Sequence, residues 1–150
     1  MRVRTTGVEQ ASAFAQTPYA RFLYAEDSLP RLEQYLAEAM SAFQEKNDIQ
    51  IKQHVLQLKI EAIGCRRALN DFSKLTYLDA LIDATEKIIL NHLLVECHKS
   101  TMIVFWAVCQ DELVRCSAAL RYISKELSLL IAQREWVKRT PPHPIKKRFY

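Results

Sequence analysis

Residues 49–70 read IQIKQHVLQLKIEAIGCRRALN, and their apolar side chains return at Ile51, Val55, Leu58, Ala62, Cys65 and Leu69. The steps are four, three, four, three and four, the heptad spacing that keeps one stripe of a helix turned toward its neighbours in a bundle. A strand would need alternation at every second residue, and this stretch has none.

Upstream, Asn47 and Asp48 compete for backbone hydrogen bonds and mark a break. Before that break, Leu29, Leu32, Leu36, Ala39 and Phe43 again recur at threes and fours. Asp27 and Ser28 can cap free amides and Pro30 fits a first turn, so the spacing predicts a helix over 28–46. Residues 1–27 read as a flexible arm, with room for a fifth short helix around 8–16 ahead of Thr17-Pro18.

Downstream, Asn70, Asp71 and Ser73 form a second cap cluster. Leu75, Leu78, Leu81, Ile82, Ile88, Ile89, Leu93 and Cys97 then predict a helix over 73–98 with a broad apolar face. A hinge at Lys99-Ser100-Thr101 is required, because one helix from 49 to 138 would be on the order of 130 Å long. The last helix, 101–138, carries Trp106, Cys109, Leu113, Cys116, Leu120, Ile123, Leu127 and Leu130 without a fault in register. At roughly 57 Å it is longer than its neighbours, so it must bend or project.

The expected fold is therefore all-α: an up-and-down antiparallel four-helix bundle over residues 28–138, followed by a basic, proline-containing tail over 139–150. Composition agrees. The chain has two glycines, Gly7 and Gly64, against the roughly 7% of an average protein. No proline interrupts residues 31–140. Gly64, in mid-helix, costs about 1 kcal/mol relative to alanine, and close approach of a second helix is the simplest reason for it.

The start of the chain is a polar mixture with Arg2, Arg4, Glu9 and Gln10 rather than the basic-then-apolar pattern of a secretory signal. The longest apolar run, 102–109, has eight residues, too few for a membrane span. Cys65, Cys97, Cys109 and Cys116 fall within expected helices, without the spacing of a disulfide framework. These features point to a reducing cytoplasm.

Chemistry is sparse. His54, His92 and His98 with Cys97, Cys109 and Cys116 are a collection that could in principle gather a metal. Cys109 and Cys116 are seven residues apart, two turns rather than the one that brings ligands to one ion. No Glu-x-x-His pair of a carboxylate-bridged centre occurs, and no glycine-rich phosphate loop, nucleophile elbow or H-E-x-x-H motif is present. The expectation is a non-enzyme without a cofactor or metal. His92 with Glu96, four residues on, reads as a solvated pair on a helix flank.

Residues 22–69, FLYAEDSLPRLEQYLAEAMSAFQEKNDIQIKQHVLQLKIEAIGCRRAL, place a helix, an Asn-Asp break and a second helix bearing His, Leu-Lys, Ala and Gly in an order that resembles a histidine phosphotransfer domain. In that family the phosphorylated His stands three before the Lys of a His-x-Leu-Lys-Gly motif. Here Leu56 takes that place, His54 stands two earlier and Ile60 replaces the Gly. The resemblance implies a degenerate regulatory domain centred on His54, either phosphorylated there or used for docking without phosphate; the place of His54 beside Val55 puts Gln50, Gln57 and Glu61 on its side of the helix.

Charge is concentrated at the ends. Lys138, Arg139, Lys146, Lys147 and Arg148, with Arg2 and Arg4, supply seven positive charges; removing them from the formal +4 leaves −3 on residues 6–137. Such ends suit an acidic protein surface or a nucleic acid. Three prolines favour an extended path for the tail ahead of the aromatic pair Phe149 and Tyr150. The favoured expectation is a protein–protein interaction module: an adaptor, a chaperone-like accessory factor or a subunit of a larger assembly, including one built from copies of itself. Its partner-binding residues would be Leu127, Leu130, Trp136 and Val137 at the end of the last helix, with Lys146, Lys147, Arg148, Phe149 and Tyr150 of the tail. A nucleic-acid-associated helical protein is the other alternative.

Overall fold

The computed structural model describes residues 18–69 and 75–139, with side chains described as far as Leu129 at the C-terminal end, and Ala132. Four helices account for nearly all of them: α1 Pro18–Gln44, α2 Asp48–Ala68, α3 Thr76–Glu96 and α4 Met102–Arg139. Each packs on the next and α4 closes the ring against α1, which is the expected four-helix bundle. Among the described residues no helix is long and apolar enough to cross a membrane.

α1 starts ten residues before the expected position. Asp27 and Ser28 read as a cap, but the Ser28 hydroxyl donates to the Tyr24 carbonyl one turn back at 3.2 Å. That bond satisfies a fully buried serine inside a helix. Pro30 consequently lies in the helix interior, where it cannot donate to the Glu26 carbonyl. Burial of Ala25, Leu32, Leu36 and Ala39 on the same helix offsets that loss.

The turn from α1 to α2 is set by a left-handed residue, Lys46, at φ 54°. Lys46 donates to the Phe43 carbonyl and Asn47 to the Ala42 carbonyl, both at 3.0 Å, the Schellman pairing that closes a helix end. Strain at a non-glycine αL residue is offset by the Lys46 ammonium, which lies 3.7 Å over the Phe43 ring. Asn47 then accepts from the Gln50 amide at 3.2 Å and caps α2. The end of α3 repeats the device with His98 at φ 59°.

The start of α3 lies against a carboxylate from another helix. Leu75 offers no side-chain cap, and the Glu126 carboxylate of α4 faces the amides of Tyr77, Leu78 and Thr76 instead. Glu126 is thus level with the first turn of α3, and the remaining thirteen residues of α4, roughly 20 Å of helix, continue beyond it. The expected cap cluster at 70–73 lies outside the described residues, as do the arm before residue 18 and the tail after 139.

The heptad stripe of α2 is buried along its length, and Cys109, Leu113, Cys116, Leu120, Ile123 and Leu127 of α4 oppose it in one core. α3 departs from expectation. Its buried row runs Leu78, Leu81, Thr85, Ile88 and His92, so Leu93 and Cys97, expected on the apolar face, are exposed. An unbroken alternation of three and four carries the row to residue 92 rather than 93.

Candidate docking surface

Three groups inside the bundle could in principle support chemistry, and each is committed to structure. His92 is 1% exposed, which corrects the expectation of a solvated flank. Its Nε2 meets Asp48 Oδ2 at 2.9 Å, tying the end of α3 to the start of α2. Nδ1 is buried without a hydrogen-bond partner, 3.6 Å from Glu96 Oε2, and the ring stands edge-on to Phe105 at 5.2 Å. Among the described residues no group of three His, Cys, Asp or Glu is arranged to hold a metal ion.

The thiols form the second group. Burial pushes Cys65 up to about 11 and Cys109 and Cys116 up to about 12, so all three remain neutral and unreactive near neutrality. Cys97 alone is exposed, and all four are free. The third group lies where α1 crosses α2. Arg31 Nε donates to Glu61 Oε2 at 3.0 Å and Nη2 to the Ser28 hydroxyl at 3.2 Å. Beside it, a Cβ added at Gly64 would stand 3.1 Å from the Tyr24 hydroxyl. Close helix crossing is therefore what the glycine serves.

His54 is half-buried on the flank of α2 that faces α1. Its Nδ1 is 3.3 Å from both Gln57 Oε1 and Glu38 Oε1. Gln57 is a neighbour as expected, whereas Glu61 turns away to Arg31.

What remains is the outside of α2 and α3. Ile49, Leu56 and Ile60 of α2 are 51%, 41% and 62% exposed, and Leu90 and Leu93 of α3 are 54% and 51% exposed. The three α2 residues are spaced seven and four apart, a second heptad row on a helix whose first row already closes the core. Ion pairs Lys52–Glu96 (3.7 Å), Lys59–Glu86 (3.7 Å) and Arg66–Asp79 (2.9 Å) bridge the two helices. Leu56 on one helix and Leu90 and Leu93 on the other all lie between the first two rungs, with Leu90 nearest the level of Leu56. The result is a two-helix surface on which exposed apolar side chains flank a seam of ion pairs.

Of the expected partner-binding set, Leu127 alone has a described side chain. Leu127 is 1% exposed and belongs to the core, because it continues the inward row of α4; this corrects its assignment to a partner surface. The side chains of Leu130, Trp136 and Val137, and residues Lys146, Lys147, Arg148, Phe149 and Tyr150, lie outside the described residues. The outer row of α2 was visible in the spacing of 49, 56 and 60, but Gln53 and Arg67 share that row and dilute its apolar signal. Compared with known proteins, the chain matches no family model, no curated protein and no solved structure.

Proposed function

We propose that the chain is a non-enzymatic protein–protein interaction module, an adaptor or assembly subunit, that docks through the outer face of α2 and α3. The observation that carries this reading is the second apolar row on α2. One row suffices to close a bundle, and a contiguous exposed apolar surface on a folded domain is a feature of interaction sites. Four free cysteines, three of them neutral core residues, support action in a reducing compartment such as the cytoplasm.

The test compares wild type with a Leu56→Glu/Leu90→Glu double variant as baits in native extract. Both positions face solvent, so the variant keeps its helicity and melting temperature. Specific capture of a protein by wild type and its loss in the variant supports the reading; equal capture by both refutes it.

A further inference from the structure

The outer face also carries information about what covers it. α2 bears Lys52, Lys59, Arg66 and Arg67 against Asp48 and Glu61, a net +2; α3 bears Asp79, Asp83, Glu86 and Glu96 against Lys87, a net −3. On α2 both acids are engaged away from the face, Glu61 with Arg31 and Asp48 with His92. On α3 the side chains of Asp79, Asp83 and Glu86 are each at least half exposed. Lys52, Lys59 and Arg66 pair across the seam between the two helices with Glu96, Glu86 and Asp79 of the same chain, so a line of charge runs along that seam, its α2 side basic and its α3 side acidic, with the exposed apolar side chains flanking it.

Such a surface is complementary to itself in one orientation. Two copies packed face to face about a two-fold axis can place that axis either across the helices or parallel to them. The crosswise axis sets α2 on α2 and α3 on α3, opposing like charge. The parallel axis exchanges the two helices, so that each basic α2 lies antiparallel on an acidic α3 and every residue keeps its height. Leu56 of one chain then meets the partner's Leu90. We infer that this face is covered by a second copy of the chain in that second arrangement, the apolar row of each α2 seated against the outer leucines of the other chain's α3.

The area is sufficient for such a dimer. Two 21-residue helices, each about 31 Å long and ~10 Å across, present roughly 600 Å² per chain. Doubled, that lies at the lower edge of specific interfaces, which fits a reversible dimer better than an obligate one. This inference rests on the reading of the α2–α3 face as a docking surface, and it adds the identity of the occupant.

Sedimentation of the full chain across the micromolar range supplies the first measurement. The expected result is a species of twice the 17.4 kDa chain mass that Leu56→Glu/Leu90→Glu converts to monomer while helicity is unchanged. The second measurement fixes orientation by oxidation in a Cys97→Ser background. Chains carrying Leu56→Cys should cross-link to chains carrying Leu90→Cys and not to each other. A wild-type monomer throughout, a dimer indifferent to the double variant, or a Leu56→Cys homo-cross-link each overturns the inference. If wild type is monomeric yet the double variant still loses capture of another protein, the docking face stands and only its occupant is wrong; if capture is also unaffected, both fail.

Discussion

Gly64 and Tyr24 permit a sharp test of how α1 and α2 are fitted together. Replacing a mid-helix glycine with alanine should stabilise α2 by about 1 kcal/mol through helix propensity alone. Here the new Cβ arrives 3.1 Å from the Tyr24 hydroxyl oxygen, inside the ~3.5–4.0 Å at which dispersion contacts are most favourable. The hydroxyl must retreat by a few tenths of an ångström in a partly buried crevice, giving up most of that gain. Gly64→Ala alone should thus change stability by only ~0–0.5 kcal/mol. In a Tyr24→Phe background the obstructing oxygen is gone, and the same substitution should return about 1 kcal/mol. The assay is urea unfolding of the four proteins followed by helical circular dichroism. Equal effects of Gly64→Ala in both backgrounds, or destabilisation in the Tyr24→Phe protein, would refute the assigned contact.

Other predictions follow from the buried polar groups. Burial raises the Glu126 carboxyl above its ordinary 4.5 against the opposing pull of three backbone amides. Because the folded value is the higher one, the stability linked to this group is fully present below about 4.5 and declines as pH rises through the folded value. Glu126→Gln, which cannot titrate, should become more stable relative to wild type across that rise; a fall in relative stability would contradict the burial assigned to the group. With Cys65 held near 11 and Cys109 and Cys116 near 12, a thiolate-selective disulfide reagent should label one of the four cysteines of the native protein, Cys97, and all four after unfolding. His92→Ala removes the bond to Asp48 and leaves a cavity beside Phe105, so it should lower unfolding free energy by about 2–4 kcal/mol, whereas His54→Ala at the half-buried rim should cost less than about 1 kcal/mol.

Much of the architecture was legible in the sequence because the inward rows of α2 and α4 alternate threes and fours for several turns, a pattern no strand reproduces. The beginning of α1 was not. Asp27, Ser28 and Pro30 have the composition of a helix start, and only the Ser28–Tyr24 bond shows the serine to be satisfied within a helix already under way. α3 was misread at its end because Leu93 and His92 are adjacent, and apolarity favours the leucine. The fold buries the histidine, since Asp48 stands ready at the neighbouring helix start.

The docking face was harder to read for a related reason. A row of Ile49, Leu56 and Ile60 on a helix that already has a complete core row looks like surplus hydrophobicity until the neighbours of α2 are known. Only the ion-pair rungs to α3 bring Leu90 and Leu93 beside Leu56 and join two scattered sets into one surface. By contrast Leu127 looked available because the last helix outruns its partners, yet the overhang begins after it.

The most direct test of the docking surface is site-specific photo-cross-linking of the native chain in its own cell extract, with the photoreactive side chain placed at residue 60 on the outer row of α2 or at Val114, an equally exposed apolar position on α4. A discrete protein adduct is expected from position 60 and none from position 114. Adducts of equal yield from both positions, or adducts from 114 alone, would contradict docking through the outer face of α2 and α3.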